Sequence, residues 1–305
     1  MKLRISSYIQ KNDLGIVLHD KSFKELTTMR VGGRIKNLYY PNSIESLQNV
    51  LKKLNYKNFF IIGNGSNVIA SDHKYKKLVI SLKQMQKDIV YEKDFFVLSA
   101  FMDLRKAIYL LAKDKISTLA KLIGIPGTVG GAIVMNAGAY YSEISEHLLW
   151  VKYLENEKII VKKKEELQFF YRNSEFKNKN RVIIEAAFSI IYDENTKQII
   201  KEISEKRKER HPLEYPNSGS IFRNGDDYLA YQIIKKINLY KYKIGNAMFS
   251  EKHANFIVNL GNAKANDVFN LIVLAKKRAL IFEKINLKEE VILLNFPLKK
   301  FLRIF

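Results

Sequence analysis

Residues 122–142 read LIGIPGTVGGAIVMNAGAYYS and contain no charged side chain. The segment is apolar enough to be mistaken for a membrane span, because about 20 apolar residues can cross a bilayer. It also contains five glycines, Pro126 and Asn136, a composition that opposes a stable helix and suits a backbone that lies against a ligand. The segment therefore predicts a ligand-binding loop, and no membrane span is expected.

A second glycine loop, Gly63-Asn64-Gly65-Ser66-Asn67, follows a predicted strand. It lacks the third glycine and the following helix of a dinucleotide fingerprint, and residues 127–131 (GTVGG) lack the Gly-Lys-Ser/Thr ending of a phosphate-binding P-loop. Successive backbone N–H groups in such loops can still bind an anion, with Ser66, Asn67 and Thr128 adding side-chain donors. For either loop taken alone, a simple tight turn is the better interpretation.

Composition narrows the function class. The chain has 305 residues, enough for two domains, and a formal net charge of +21. Only 11 of the 52 cations are arginine, and no basic block is interleaved with stacking aromatic residues, so we expect no specific nucleic-acid partner. The absence of cysteine excludes disulfides and thiolate chemistry, and the five scattered histidines predict no metal site. The N-terminal residues lack the apolar core of a secretory signal, which predicts a cytoplasmic protein.

Hydrophobic periodicity predicts a mixed α and β chain. Strands are expected at 37–41, 59–62, 68–70, 78–82 and 95–100. Helices are expected after a capping box formed by Asn42 and Glu45, with Ile44, Leu47, Leu51 and Leu54 on one face, and from about 103 to 112.

A polar, charge-rich stretch at 190–211 ends in prolines and predicts a domain boundary near its beginning. We therefore expect one domain over 1–195 and a second over 196–305. The second should contain an amphipathic helix over 267–283 and a terminal strand over 291–294. The inward face of that helix is predicted to consist of Val268, Leu271, Ile272, Ala275, Ala279 and Phe282.

Several motifs in fixed order make a more specific pattern than either loop alone. They are Thr27-Thr28-Met29-Arg30-Val31-Gly32-Gly33, the loop 63–67, residues 124–132 (GIPGTVGGA), residues 135–140 (MNAGAY), Tyr171-Arg172-Asn173-Ser174, residues 212–216 (PLEYP), residues 218–224 (SGSIFRN), residues 250–259 (SEKHANFIVN) and Glu289-Glu290-Val291. This ordered set resembles the UDP-N-acetylenolpyruvoylglucosamine reductase family, also called UDP-N-acetylmuramate dehydrogenases or MurB, along nearly the whole chain.

The resemblance implies an α+β fold: a FAD-binding domain of the PCMH or vanillyl-alcohol-oxidase type, made of two subdomains, and a C-terminal α+β substrate-binding domain. It implies FAD as bound cofactor, NADPH as co-substrate and a UDP-sugar as substrate, whose enolpyruvyl ether receives a hydride from reduced FAD in peptidoglycan synthesis. A monomer is expected.

Three residues match the catalytic positions of the family. Ser220 matches the proton donor, Arg172 the arginine that holds the substrate carboxylate, and Glu290 the acidic residue before the last strand. Without the resemblance, Ser220 would be interpreted as a turn serine, Arg172 as a surface cation and Glu290 as a solvated charge, and the choice of Glu290 over Glu289 rests only on its position before Val291.

The resemblance also assigns binding residues. Those for FAD are Gly63, Asn64, Gly65, Ser66, Asn67, Gly127, Thr128, Gly130, Gly131, Asn136 and Gly138. Those for the substrate are Asn224, His253 and Tyr215.

The chain departs from the family pattern at 99–102, 119–122 and 231–247, which affects the expected affinity for FAD and substrate. Three alternatives stay open at this point. They are an oxidase of the same fold, a basic binding protein that has lost the flavin, and a regulatory paralogue that binds flavin without turnover.

Overall fold

The chain contains both helices and strands, as the hydrophobic pattern predicts. The computed structural model describes residues 5–177 and 179–296. The α-helices are α1 (Ile5–Lys11), α2 (Phe23–Leu26), α3 (Ile44–Lys53), α4 (Leu104–Leu111), α5 (Val129–Val134), α6 (Thr196–Arg210), α7 (Ala230–Lys236) and α8 (Ala265–Glu283). Short 3-10 helices lie at Ala112–Asp114, Ala120–Leu122, Ile144–His147 and Lys164–Glu166.

The strands are short. They are β1 (Gly15–Ser22), β2 (Arg34–Pro41), β3 (Phe59–Ile61), β4 (Val68–Ala70), β5 (Tyr75–Ile80), β6 (Ile89–Tyr91), β7 (Phe95–Ser99), β8 (Gly138–Ala139), β9 (Ser142–Glu143), β10 (Leu148–Glu155), β11 (Lys158–Lys163), β12 (Phe169–Phe170), β13 (Asn173–Ser174), β14 (Arg181–Ser189), β15 (Asn217–Ser220), β16 (Lys243–Ile244), β17 (Ala247–Phe249), β18 (Phe256–Asn259) and β19 (Ile292–Leu294). One four-stranded sheet has the order β1-β2-β5-β3, and its β3 and β5 are parallel.

The described residues divide into two compact units. Unit 1 comprises the described residues up to His19, Asn37–Asn64 and Lys77–Arg207, and unit 2 comprises Asp20–Lys36, Gly65–Lys76 and the described chain from Lys208 onward. Each unit has its own core of buried apolar side chains. The chain passes from unit 1 to unit 2 for the last time after Arg207. The predicted boundary of the functional domains after residue 195 stays a prediction.

Unit 1 contains a five-stranded sheet with the order β11-β10-β14-β7-β6, and each of its neighbouring pairs is antiparallel. Phe96 and Phe188 are fully buried on this sheet, with ring centroids 5.7 Å apart. Strands β6, β10, β11 and β14 have no counterpart among the strands that the sequence predicts, and only β7 of this sheet was expected.

Unit 2 contains a four-stranded antiparallel sheet with the order β15-β18-β17-β16. It also contains a parallel pair, β4 with β19, in which Ile69 lies opposite Leu293. More than 200 residues of sequence separate β4 from β19, yet both strands belong to unit 2 and pair with each other.

Three local predictions need correction. Ser43, not Asn42, caps α3, because the Ser43 hydroxyl accepts the N–H of Ser46. Phe282 is 68% exposed and does not belong to the inward face of α8, since the helix ends at Glu283 and Leu287 is buried instead.

The glycine-rich segment contains the short helix α5, which its composition does not favour. The charge-rich stretch before the prolines is largely the helix α6. No helix within the described ranges 5–177 and 179–296 is both long and apolar enough to cross a membrane.

Candidate active site

In unit 1 the two predicted FAD loops contact each other. A Cβ atom placed on Gly63 would lie 2.6 Å from Thr128 Oγ1, so only glycine permits this approach. Asn64 Nδ2 donates to Asp103 Oδ2 at 2.7 Å, and Asp103 Oδ1 caps α4 by accepting the N–H of Lys106. The loop that ends at Asn64 and the segment around Thr128 are therefore fixed to the start of α4.

The backbone N–H groups of the glycine-rich segment are largely used within the fold. Val129 N–H donates to Met102 O at 2.9 Å, and Gly130 N–H donates to Ala100 O at 2.7 Å. Gly131 N–H donates to the Thr128 hydroxyl at 3.2 Å. That hydroxyl keeps its own hydrogen to donate, so Thr128 can still serve an anion, whereas these three amides hold the segment in place.

A polar network surrounds Arg172. Its Nη2 donates to Gly138 O at 2.8 Å, and its Nη1 lies 3.5 Å from Glu143 Oε1. Glu143 Oε2 in turn accepts Asn136 Nδ2 at 2.6 Å. A Cβ on Gly138 would lie 2.8 Å from Arg172 Nη1, so this glycine leaves room for the guanidinium. The sequence did not predict Glu143 as a site residue. In the structure its carboxylate is the ion-pair partner of Arg172.

Asn136 in the same network retains an unused acceptor. The residue is 1% exposed, and its Nδ2 also donates to Phe170 O at 3.0 Å. Its Oδ1 has no hydrogen-bond partner in the part of the chain that the structure describes. Because a buried acceptor without a donor is costly, this atom fits a ligand that brings an N–H or O–H group, as a flavin ring does.

In unit 2, Ser220 ends β15 after an irregular step in the strand. The register of β15 against β18 shifts between Asn217 and Ser220, and Gly219 between them has φ 73°, a left-handed conformation that favours glycine. Buried Asn255 holds the next residues: its backbone O accepts the N–H of Ile221, and its side chain makes two bonds to the backbone of Phe222. The bulge and this clamp fix the position of Ser220.

The backbone of Glu290 pairs with the residue that follows Ser220, within unit 2. Its N–H donates to Ile221 O at 2.8 Å, one residue after Ser220, and its carbonyl oxygen accepts Asn67 Nδ2 at 3.1 Å. The Glu289 carboxylate forms an ion pair of 2.6 Å with Lys276. The choice of Glu290 as the functional carboxylate still rests on its position before Val291.

The rest of the first loop serves the packing of unit 2. Gly65 has φ 63°, and a Cβ there would lie 2.2 Å from Leu26 O. Thr28 N–H donates to Gly65 O, and its hydroxyl donates to Asn217 O at 2.6 Å. The Asn67 side chain likewise holds unit 2 together by donating to Glu290 O. The sequence does not indicate this contact. Ser66 is half-buried in the turn before β4.

The three predicted substrate residues lie in different surroundings within unit 2. Asn224 Oδ1 accepts the N–H of Ala230 at the start of α7. The His253 ring packs against Phe256 with centroids 4.8 Å apart and also faces His211 and Tyr231. Tyr215 is 42% exposed and lines a surface pocket of about 530 Å³ with Lys24, Arg30 and residues 259–262.

Comparison with known proteins identifies the family. The C-terminal domain model of UDP-N-acetylenolpyruvoylglucosamine reductase matches residues 211–294, and a FAD-binding domain model matches residues 35–161. A reductase of this name from Clostridium tetani is 35% identical over 95% of this chain and 96% of its own length. The chain belongs to the UDP-N-acetylenolpyruvoylglucosamine reductase family.

Other members support the assignment. A reductase from Carboxydothermus hydrogenoformans is 37% identical over 94% of this chain and 96% of its own length. The crystal structure of the Thermus caldophilus reductase (MurB) is 27% identical, with a TM-score of 0.77 over 92% of this chain and 98% of that one. The predicted fold class is therefore confirmed, and FAD is the cofactor of this oxidoreductase.

Proposed function

We propose that this chain reduces the enolpyruvyl ether of UDP-N-acetylglucosamine enolpyruvate to UDP-N-acetylmuramate in peptidoglycan precursor synthesis, with NADPH as the reductant. The observation that carries the proposal is the match to reductases of that name over nearly the whole chain, 95% of it for the Clostridium tetani protein. A cytoplasmic location and a monomeric enzyme belong to the same proposal.

Arg172 is proposed to hold the substrate carboxylate. Its guanidinium is a planar fork that can form two parallel hydrogen bonds with a carboxylate, and Gly138 O and Glu143 already restrict its orientation. A charge that grows on the carboxylate side during reduction is stabilised best by a donor that need not reorganise. The network around Arg172 supports this role.

Ser220 is proposed to donate the proton to the substrate carbon, and Glu290 to assist this transfer. A serine hydroxyl is a weak acid in water, so the role requires a close, dry contact with a strongly basic carbon. The bulge before Ser220 and the backbone bond between Glu290 and Ile221 hold both residues in one local structure. This shared support is the structural argument for pairing them.

FAD, when bound, supplies the hydride chemistry that no side chain can provide. The residues proposed to hold it are Gly63, Asn64, Gly65, Ser66, Asn67, Gly127, Thr128, Gly130, Gly131, Asn136 and Gly138. Two observations support the fit: the unpaired, buried Asn136 Oδ1 and the hydroxyl hydrogen of Thr128. The match of residues 35–161 to a FAD-binding domain model argues against the flavin-free alternative.

The proposal is tested on the purified protein by visible absorbance without oxygen. NADPH should bleach the flavin band, and UDP-N-acetylglucosamine enolpyruvate should then restore it. A protein that is bleached but does not recover with this substrate would contradict the assigned reaction. Reoxidation by oxygen that is faster than reoxidation by the enolpyruvyl substrate would indicate an oxidase.

The role of Ser220 is tested by Ser220→Ala. The variant should be bleached by NADPH at the normal rate, but recovery with the enolpyruvyl substrate should slow by about 10² to 10⁴, the usual contribution of a positioned acid. Ser218→Ala is the matched control, because Ser218 lies on the same strand and its buried hydroxyl has no partner within the described residues. Equal recovery rates for both variants would remove Ser220 from the mechanism.

A further inference from the structure

The side chain of Arg207 lies against the glycine-rich segment of unit 1. The Arg207 side chain, near the end of α6, packs on the backbone of Gly124, where a Cβ atom would lie 1.7 Å from Arg207 Cδ and 2.1 Å from its Nε. Any larger residue at position 124 would displace this side chain. Glycine at 124 therefore permits Arg207 to lie flat on the segment that carries predicted FAD residues.

Arg207 has no carboxylate partner within residues 5–177 and 179–296, since its guanidinium forms none of the ion pairs or hydrogen bonds of the fold. Burial is the largest influence on this group and lowers the pKa of Arg207, while Tyr140 opposes the shift and Arg105 adds to it. Arginine keeps its proton at neutral pH in spite of such shifts. A half-buried cation without a counter-charge is costly and calls for an anionic ligand.

Arg105 adds a second positive charge near this position. Its Nε lies 3.9 Å from Asp103 Oδ1, at the outer limit of an ion pair, and its side chain is half exposed. Asp103 already accepts hydrogen bonds from Asn64 and Lys106. Because Asp103 also connects to the loop at Asn64, the two arginines lie next to the part of unit 1 that is proposed to hold the cofactor.

We infer that Arg207, assisted by Arg105, binds the diphosphate group of a nucleotide. Guanidinium groups bind phosphate oxygens through two parallel hydrogen bonds, and two such groups match the two charges of a diphosphate. This inference rests on the proposed function, which offers two sources of the group: the diphosphate of FAD and that of the UDP-sugar. Neither Arg207 nor Arg105 belongs to the binding residues assigned above.

The test compares Arg207→Ala with Lys206→Ala, which removes the same charge from the neighbouring, exposed position of α6. The dissociation constant of FAD is measured by fluorescence during reconstitution of the full-length apoprotein, and that of UDP by calorimetry at saturating FAD. Loss of a charged hydrogen-bond partner should weaken one of the two by about 10- to 100-fold. The affected ligand identifies the source of the diphosphate, and Lys206→Ala should change neither constant by more than about twofold.

Gly124→Ala provides an independent route to the same result. Its methyl group should displace Arg207 and weaken the same ligand, and it should have little further effect when Arg207 is already alanine. If Arg207→Ala binds both ligands as Lys206→Ala does, the inference is wrong even where the wild-type protein completes both half-reactions. If the wild type completes neither half-reaction, the proposed function fails, and the FAD titration still decides the role of Arg207.

Discussion

Arg172 illustrates how single residues are held for function. Its φ of 54° lies in the left-handed region, which is uncommon for a residue other than glycine. Its side chain is oriented by Gly138 O and Glu143, and the guanidinium carbon lies 4.8 Å from the centre of the Tyr171 ring. A side chain fixed at several points is suited to meet a carboxylate without reorganising.

Two substitutions test this arrangement. Arg172→Ala should lower kcat by about 10² to 10³, the usual effect of losing one preorganised donor to a growing charge. Glu143→Gln should lower kcat/KM by about 10-fold, because a neutral amide no longer attracts the guanidinium. Steady-state kinetics with the enolpyruvyl substrate measures both.

Glu146→Gln is the control for Glu143→Gln. Glu146 lies in the same turn and accepts bonds from Ser142 Oγ and Glu143 N–H, but no contact joins it to Arg172 within the described chain. An equal loss of kcat/KM in both variants would indicate a general weakening of the turn and would contradict a positioning role for Glu143.

At the scale of elements, the buried face of α8 is predicted correctly by periodicity except at its C-terminal end. Val268, Leu271, Ile272, Ala275 and Ala279 are all buried, as the 3.6-residue period predicts. Phe282 continues the period but is exposed, because the chain leaves the helix at Lys284 in a left-handed conformation and buries Leu287. The spacing of apolar residues predicts which side of the helix is buried. Where the buried side ends depends on which neighbouring residues pack against it.

Two phenylalanines of α8 provide a matched test. Phe269 is 1% exposed and stacks on Phe296 with centroids 4.4 Å apart. Phe269→Ala should lower the free energy of unfolding by about 3–5 kcal/mol, whereas Phe282→Ala should change it by about 0.5 kcal/mol or less. Urea unfolding followed by circular dichroism measures both. A larger loss from Phe282→Ala would show that this side chain is covered in solution.

At the scale of the whole molecule, segments far apart in sequence form each compact unit. Asp20–Lys36 and Gly65–Lys76 join the chain beyond Lys208 in unit 2, where Asn259 Nδ2 donates to Met29 O at 3.0 Å. Asp72 accepts the N–H groups of Ala265 and Asn266 at 3.0 Å. Because such contacts close very long loops, the pattern along the sequence does not reveal them.

FAD should stabilise the whole chain, since a ligand that binds only the folded state adds to its free energy of unfolding. At a free FAD concentration of 100 times its dissociation constant, the gain should be about 2.7 kcal/mol. Thermal unfolding of apoprotein with and without FAD measures the effect. Riboflavin, which lacks the diphosphate and the adenosine, serves as the control and should give a smaller shift. No shift with FAD would contradict its role as the bound cofactor.

The sequence by itself determined the family, the α+β class, the cofactor, and the helix and five strands between residues 37 and 100 that correspond to α3, β2, β3, β4, β5 and β7. It did so because ordered glycine motifs and local hydrophobic periods are properties of neighbouring residues. The catalytic and binding roles predicted from the motifs stay predictions that the experiments above address.

Only the tertiary structure decided which side chains surround those motifs. Glu143 beside Arg172, Lys276 beside Glu289, the Asn255 clamp next to Ser220 and Arg207 on Gly124 all join residues from separate segments. Charges such as these look alike in a chain with 52 cations. Their partners are set by packing in three dimensions, where distance and burial, and not position in the sequence, determine which charges interact.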